Sequence, residues 1–179
     1  MITSKNLTIR AFTLHDAEAM LALQIKNRLF FEEFALTRQD DFYTVAGQTK
    51  KIKDAALKAQ EDKEYYFGIF ENHEEKLIGT ISLFNIVRGA SQSAIIGYFL
   101  DKDYNGKGYM TQAAKLFVTY AFTKLNLHRI QAEVQPHNVG SIRVLEKAGF
   151  HQEGLATKNL KIRGEWKDHQ VLAIINPAD

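Results

Sequence analysis

Asn105-Gly106-Lys107-Gly108-Tyr109-Met110 is the stretch whose residue types and spacing suit chemistry most directly. It follows the apolar run Ala94-Ile95-Ile96-Gly97-Tyr98-Phe99-Leu100 and opens a periodic segment from Thr111 to Leu125. A strand, a short glycine loop and a helix start, in that order, build an anion site. Amides in the first turn of a helix lack intrahelical partners, and the helix dipole adds partial positive charge there. Glycine at 106 and 108 removes the side chains that would hold a diphosphate away from those amides. Lys102 and Lys107 add ammonium groups nearby. A glycine turn between strand and helix can also be purely steric, so the loop needs support from the rest of the chain.

The elements that must position this loop can be read from periodicity. Residues 6–12 alternate apolar and polar as a half-buried strand does. Residues 14–62 read as helical, with Ala17, Met20, Leu21 and Leu23 on one face, an apolar bend at Phe30, Phe31, Phe34 and Leu36, and a second helix near 39–61. Three strands follow, Tyr65 to Phe70, Leu77 to Phe84 and Ala94 to Leu100, separated by polar turns. After the helix beginning near 111 come a short strand from Arg129 to Val134 and a helix from Asn138 to Ala148. Asn138 suits the N-cap of that helix and Gly149 suits its end. Two final strands, near 152–162 and 166–175, pair around Arg163-Gly164, with Trp166 and Asp168 expected to tie the hairpin to the body. The expected fold class is α/β (α+β). A mixed, mostly antiparallel sheet of about seven strands is flanked by about four helices, and residues 1–179 form one domain.

In such sheets ligands sit beyond the carboxyl ends of strands whose connections diverge. The strand ending at Leu100 leads to the glycine loop, and the strand ending at Val134 leads to Gln135-Pro136-His137-Asn138. If these two parallel strands splay apart, an extended ligand bearing amides can enter between them as a surrogate strand. A diphosphate at one end and an amide-rich arm at the other describe coenzyme A.

The chain here resembles the GNAT acyltransferases, and among them the RimJ/RimL-like ribosomal-protein N-terminal acetyltransferases. The similarity runs through Ile96-Gly97-Tyr98, Tyr104 to Ala113, Leu127-His128-Arg129-Ile130, Pro136 to Ser141, Arg143 to Phe150, Glu153-Gly154 and Gly164 to Asp168, with Ile9-Arg10 and Asp16-Ala17 near the start. It implies that backbone groups of Tyr98, Phe99 and Leu100 pair with the pantetheine arm, and that amides of Asn105, Gly106, Lys107, Gly108, Tyr109, Met110 and Thr111 hold the pyrophosphate. Asn138 would contact a pantetheine amide, and the Ser141 hydroxyl would lie near the sulfur. Two departures stand out. Asp103 occupies a position where many of these loops carry Gln or Arg, and Glu146 stands where several of the enzymes place a tyrosine acid, although the RimJ/RimL-like sequences share the glutamate.

Acetyl transfer to an amine requires a neutral amine, a polarised thioester carbonyl and protonation of the departing thiolate. Ser141 is the candidate acid, acting by a hydrogen bond to sulfur, with helix capping as its structural alternative. Glu133 is the candidate base, since alternation puts it on one face with Gln131 near the slot. Its alternative is a solvated carboxylate on the sheet surface. His128 and His137 are further candidates, and an amine can also lose its proton to bulk water. The phenylalanines near 30–34, with Phe84 and Tyr98, could wall an acceptor pocket or simply fill the core.

Composition bounds the rest. A hydrophobic share of 45% with 25% charged residues fits a globular protein, and a net charge of +2 without a basic block gives no sign of nucleic-acid binding. With no cysteine the chain has no disulfide and no thiolate metal site, and the His and acidic residues show no metal-ligand spacing. No run approaches ~18 apolar residues and the first residues carry no long apolar region, so no membrane contact and a cytoplasmic location are expected. The expected partners are acetyl-CoA, without a metal, and an amine acceptor. That acceptor is a protein N-terminus of ribosomal type, or alternatively a polyamine, aminoglycoside or amino acid. A non-catalytic acyl-CoA-binding module is the other reading, and the chain is a monomer or homodimer.

Overall fold

The structure, a computed structural model, describes residues 1–35 and 38–179; Leu36, the last member of the expected apolar bend, lies outside them. Eight strands form a single sheet in the order β1-β2-β3-β4-β5-β6-β8-β7. They are β1 (Ile2–Thr3), β2 (Leu7–Ala11), β3 (Tyr65–Glu71), β4 (Lys76–Val87), β5 (Ser93–Leu100), β6 (Arg129–Val134), β7 (His151–Ile162) and β8 (Glu165–Ile175). All neighbours run antiparallel except β5 and β6. Among the described residues, five α-helices accompany them: α1 (Ala17–Lys26), α2 (Arg28–Glu32), α3 (Val45–Gln60), α4 (Tyr109–Lys124) and α5 (Val139–Ala148).

The one parallel junction positions the site. Pairing between β5 and β6 covers only Ser93↔Arg129, Ala94↔Ile130 and Ile95↔Gln131. Beyond those residues the strands separate, although β5 stays paired with β4 up to Leu100 and β6 with β8 up to Val134. The carboxyl-terminal halves of β5 and β6 therefore face each other across an open slot.

Each sheet face has its own core. On one side Ala94, Ile96, Ile130, Ala132 and Val134 pack with Ala113 and Phe117 of α4 and Leu145 of α5. On the other, Met20 and Leu23 of α1, Phe31 of α2 and Ile52 of α3 pack with Phe70 and Leu77, and Phe99 leans on that cluster. Strand alternation makes both possible, since Tyr98 joins the first core and its neighbour Phe99 the second.

The long amino-terminal helical segment is broken at Asn27, which is 1% exposed and donates Nδ2 to the Leu23 carbonyl at 3.0 Å. That side-chain bond occupies an acceptor of the last turn and lets α2 leave at a new angle. The terminal hairpin also departs from expectation. Trp166 is 60% exposed and does not anchor the hairpin to the body. Asp168 acts within the hairpin, accepting from the Lys158 amide at 2.8 Å.

Candidate active site

The glycine loop builds its cradle through backbone conformation. Gly106 and Gly108 have φ of 75° and 81°, and nothing lies within 4 Å of where a Cβ would stand on either. Gly108 is the left-handed N-cap of α4, and Gln112 is the residue whose amide closes the first turn, on the Gly108 carbonyl at 3.0 Å. The amides ahead of it point out of the helix toward the slot mouth.

Asp103, next to the glycine loop, is held in an ion pair. Lys26, at the end of α1, pairs with both Asp101 (2.7 Å) and Asp103. Asp101 hydrogen-bonds the Lys26 ammonium and, with Asp103, holds it above its ordinary value, while Lys26 holds the Asp103 carboxyl below its own. Asn27 accepts from the Lys102 amide at 3.0 Å. The end of α1 and the glycine loop are thus one clamped unit.

Along the slot, β5 spends alternate peptide groups on β4. Ser82 Oγ donates to the Gly97 carbonyl, the Phe99 carbonyl lies 2.5 Å from where a Cβ on Gly79 would sit, and the Asp101 amide donates to Ile78 at 2.8 Å. By alternation the peptide groups of Tyr98 and Leu100 face the slot. The Phe99 backbone is turned to β4, away from the slot. Phe99 contributes its ring instead, 4.9 Å from that of Phe31.

The opposite wall begins at α5. Asn138 caps it, its Oδ1 accepting from the Ser141 amide at 3.2 Å, which leaves Nδ2 available for another acceptor. At the far end Gly149, φ 103°, donates to Glu146, and Phe150 donates to Leu145, a Schellman ending. Ser141 Oγ lies 2.9 Å from the Tyr98 hydroxyl, which also reaches the Ser141 carbonyl at 3.2 Å. Burial pushes the Tyr98 phenol above its ordinary value, partly offset by the Ser141 hydrogen bond. Tyrosine, absent from α5, is therefore supplied from β5. The sequence reading marks Tyr98 for its backbone and offers its ring as a wall of the acceptor pocket with the phenylalanines, whereas the ring packs on the opposite, α4–α5 face. The alternation that sends its ring to the α5 side was legible in the sequence, but the register of α5 above it was not.

Glu133 lies on the other face of β6, since Ala132 and Val134 on either side of it belong to the α4–α5 core. Its carboxylate accepts from Gln131 Nε2 at 3.0 Å and Asn159 Nδ2 at 2.9 Å. The slot thus separates a hydroxyl pair on one face of the sheet from a fixed carboxylate on the other. Of the histidines, His128 is at the wrong end of β6 and pairs with Asp179 at 2.7 Å, so it is no part of the site. His137 sits at the mouth against Phe34, with ring centres 5.5 Å apart. His169, which no motif marks, is 3% exposed and lines the cleft, one ring nitrogen 3.1 Å from the Lys167 carbonyl.

One cleft of about 1210 Å³ unites these groups. Tyr98, Phe99, Leu100, Asn105, Gly106, Gly108, Tyr109, Met110, Thr111, Glu133, Asn138 and Ser141 all line it, as do Phe30, Phe31, Phe34 and Phe84. Phe31 is both core and wall, being 5% exposed. Lys107 does not line the cleft, because its ammonium lies over the Tyr104 ring, 5.3 Å from the centre.

Comparison with known proteins agrees with this geometry. Residues 6–151 match the family model described as an acetyltransferase (GNAT) domain. The chain belongs to the GNAT acetyltransferases. This acetyltransferase is 58% identical over 179 residues to the probable N-acetyltransferase YjcK of Bacillus subtilis, covering 100% of this chain and 99% of that protein. It superposes on the ribosomal-protein-S5-alanine acetyltransferase of Vibrio fischeri with a TM-score of 0.92 at 32% identity, over 98% of this chain and 96% of that one. Mycobacterium smegmatis RimJ in complex with CoA-disulfide matches with a TM-score of 0.90 at 27% identity, over 96% of this chain and 83% of that one. This chain is accordingly an N-acetyltransferase that uses acetyl-CoA. Among its described residues no helix is long and apolar enough to cross a membrane.

Proposed function

We propose that this acetyltransferase moves the acetyl group of acetyl-CoA directly to the α-amine at a protein N-terminus, of the kind carried by ribosomal proteins. The observation that carries this reading is the charge of the cleft wall. Its described lining holds three carboxylates, Glu32, Glu64 and Glu133, against six Lys and Arg side chains. Glu64 is paired with Lys51 and Lys58, and Glu32 with Arg28 and the Tyr43 hydroxyl. Glu133 is left with neutral amide partners alone. A polyamine needs several carboxylates along its length. An α-amine brings one charge at most and loses it readily, since its ordinary pKa lies near ~7.7–8.0.

In the mechanism, the diphosphate rests on the amides of residues 105, 106 and 108–111, and the pantetheine arm pairs with the Tyr98 and Leu100 peptides and the Asn138 amide. The amine enters on the α1–α3 face, where Glu133 takes its proton, directly or through water. Nitrogen attacks the thioester carbonyl, the tetrahedral intermediate collapses, and the carbon–sulfur bond breaks. Ser141 hydrogen-bonds the leaving sulfur, which takes its proton from water as the new amide nitrogen gives up its extra proton to water. Tyr98, a weak acid in its buried position, keeps its own proton and orients the serine hydroxyl. Residues 1–179 act as one catalytic domain on one continuous sheet.

The test is an acceptor screen followed by thiol release, setting peptides with free N-termini against spermidine and an aminoglycoside. Turnover of peptides at least tenfold above the small amines is expected. Turnover of spermidine with no peptide acetylated would overturn the reading. Glu133→Gln should slow peptide acetylation, and the loss should shrink as pH rises through the α-amine range, because the acceptor then deprotonates unaided.

A further inference from the structure

Gln135 is 6% exposed, and its Nε2 is buried without a hydrogen-bond partner among the described residues. An unpaired buried amide donor is costly, so a folded chain seldom keeps one without use. Gln135 stands two residues beyond Glu133, just past the end of β6, where its own carbonyl accepts from the Asn138 amide at 2.9 Å. It also lines two cavities at once: the cofactor cleft and a second groove of about 720 Å³ walled by Glu33 on one side and the β7–β8 turn with the exposed Trp166 on the other.

We propose that Gln135 is the residue that reads the acceptor as a peptide, donating from Nε2 to the first carbonyl of the incoming chain while the following residues leave through the groove beside Trp166. This rests on the α-amine reading above and adds to it a recognition element. Two positions along an extended chain span roughly 6–7 Å, so a carboxylate on the amine and an amide on the adjoining carbonyl can be met by residues so spaced. The terminal torsion of glutamine is soft, so the amide can turn into the cleft when a carbonyl arrives. A polyamine or alkylamine offers no acceptor there and leaves the donor unpaired, which is how a polar site rejects an analogue that lacks its group. The groove supplies the exit. Its rim carries Glu33, Glu165 and Asp168 against Arg163 and Lys167, a mixed wall suited to polar peptide backbone rather than to a polycation.

The experiment compares wild type, Gln135→Leu and Gln135→Glu on a tetrapeptide amide with a free N-terminus, and on its analogue with the first carbonyl reduced to methylene. Thiol release gives kcat and KM, and calorimetry gives acetyl-CoA affinity as a check of the fold. The expected result is a loss of about tenfold or more in kcat/KM for Gln135→Leu, carried mainly by the peptide KM, and a greater loss for Gln135→Glu, which faces oxygen with oxygen. The reduced peptide should lose a similar factor on wild type and little more on Gln135→Leu. That comparison alters the ligand, so it stands even if a variant folds poorly. Equal turnover of the reduced and unreduced peptides by wild type, or a gain in Gln135→Glu, overturns the proposal. Failure of wild type to acetylate any peptide overturns the α-amine reading as well, and so is told apart from failure of Gln135 alone.

Discussion

Among single residues, the proposed chemistry depends on a hydroxyl pair drawn from two elements. Ser141 lies at the third position of α5, where it would help cap a helix in many proteins, and Asn138 already performs that service through Oδ1. The Ser141 hydroxyl is thereby free to meet the Tyr98 hydroxyl at 2.9 Å. Its bond to a departing thiolate strengthens only as charge develops on sulfur, so its loss belongs in kcat. We expect Ser141→Ala to lower kcat about tenfold to a hundredfold with the acetyl-CoA KM little altered. Tyr98→Phe should cost less, and the double variant should cost no more than Ser141→Ala, because tyrosine acts through the serine. Additive losses in that cycle would give Tyr98 an independent role. The serine could be nominated as an acid from sequence, whereas the tyrosine side chain was offered only as a pocket wall. A periodic pattern says which face a residue occupies, not which side chain from another element comes to lie over it.

Between elements, the proposed phosphate cradle is a joint product of the glycine loop and the end of α1. Lys26 pairs with Asp101 and Asp103, which under the proposed mechanism would otherwise repel a diphosphate, and Asn27 holds the loop backbone. Lys26→Met should weaken acetyl-CoA binding by about tenfold at low salt and less at high salt, since it exposes two carboxylates to the ligand's charge. Gly108→Val should weaken it more, because a branched residue at φ 81° is strained and its carbons enter the open space where phosphate approaches. Calorimetry of the two variants against wild type measures both, and unchanged affinity for Gly108→Val would remove the loop from the site. The strands were readable where apolar runs met turn residues: Arg129–Val134 lies where the pattern puts it, and β3 to β5 differ only at their ends. What escaped were features set by tertiary contact. The two-residue β1 is too short to show a period, the break at Asn27 comes from a side-chain bond, and the exposure of Trp166 contradicts the usual fate of a lone tryptophan in a hairpin.

Across the molecule, one largely buried ion pair fastens the amino-terminal strand to the helices that cover the acceptor face. Arg10 on β2 grips Asp16 with two bonds of 2.8 Å, and the Thr13 amide adds another at 2.7 Å. The Arg10 guanidinium, with Thr13, holds the Asp16 carboxyl down at about 2. A carboxyl held below its unfolded value contributes stability above that value and loses it as pH falls through the folded one. The contribution is therefore complete above roughly pH 4 to 5 and fades toward pH 2, on the order of 1–2 kcal/mol with solvent screening. Arg10→Met should be less stable than wild type by that amount at neutral pH, and urea melts should show the gap closing near pH 2. A gap that persists in acid would assign the loss to packing of Arg10 on the Phe70 ring, 4.0 Å away.

All of these parts serve one proposed arrangement, an α-amine received on the Glu133 face and the acetyl thioester presented from the Ser141 side. A peptide carrying both a free N-terminus and an internal lysine puts the two amine classes in one molecule at equal concentration. Fragment mass spectrometry after limited turnover locates the acetyl group. A single acetyl group on the N-terminal nitrogen is expected, and an acetyl group on the lysine side chain with the N-terminus left free would contradict the arrangement.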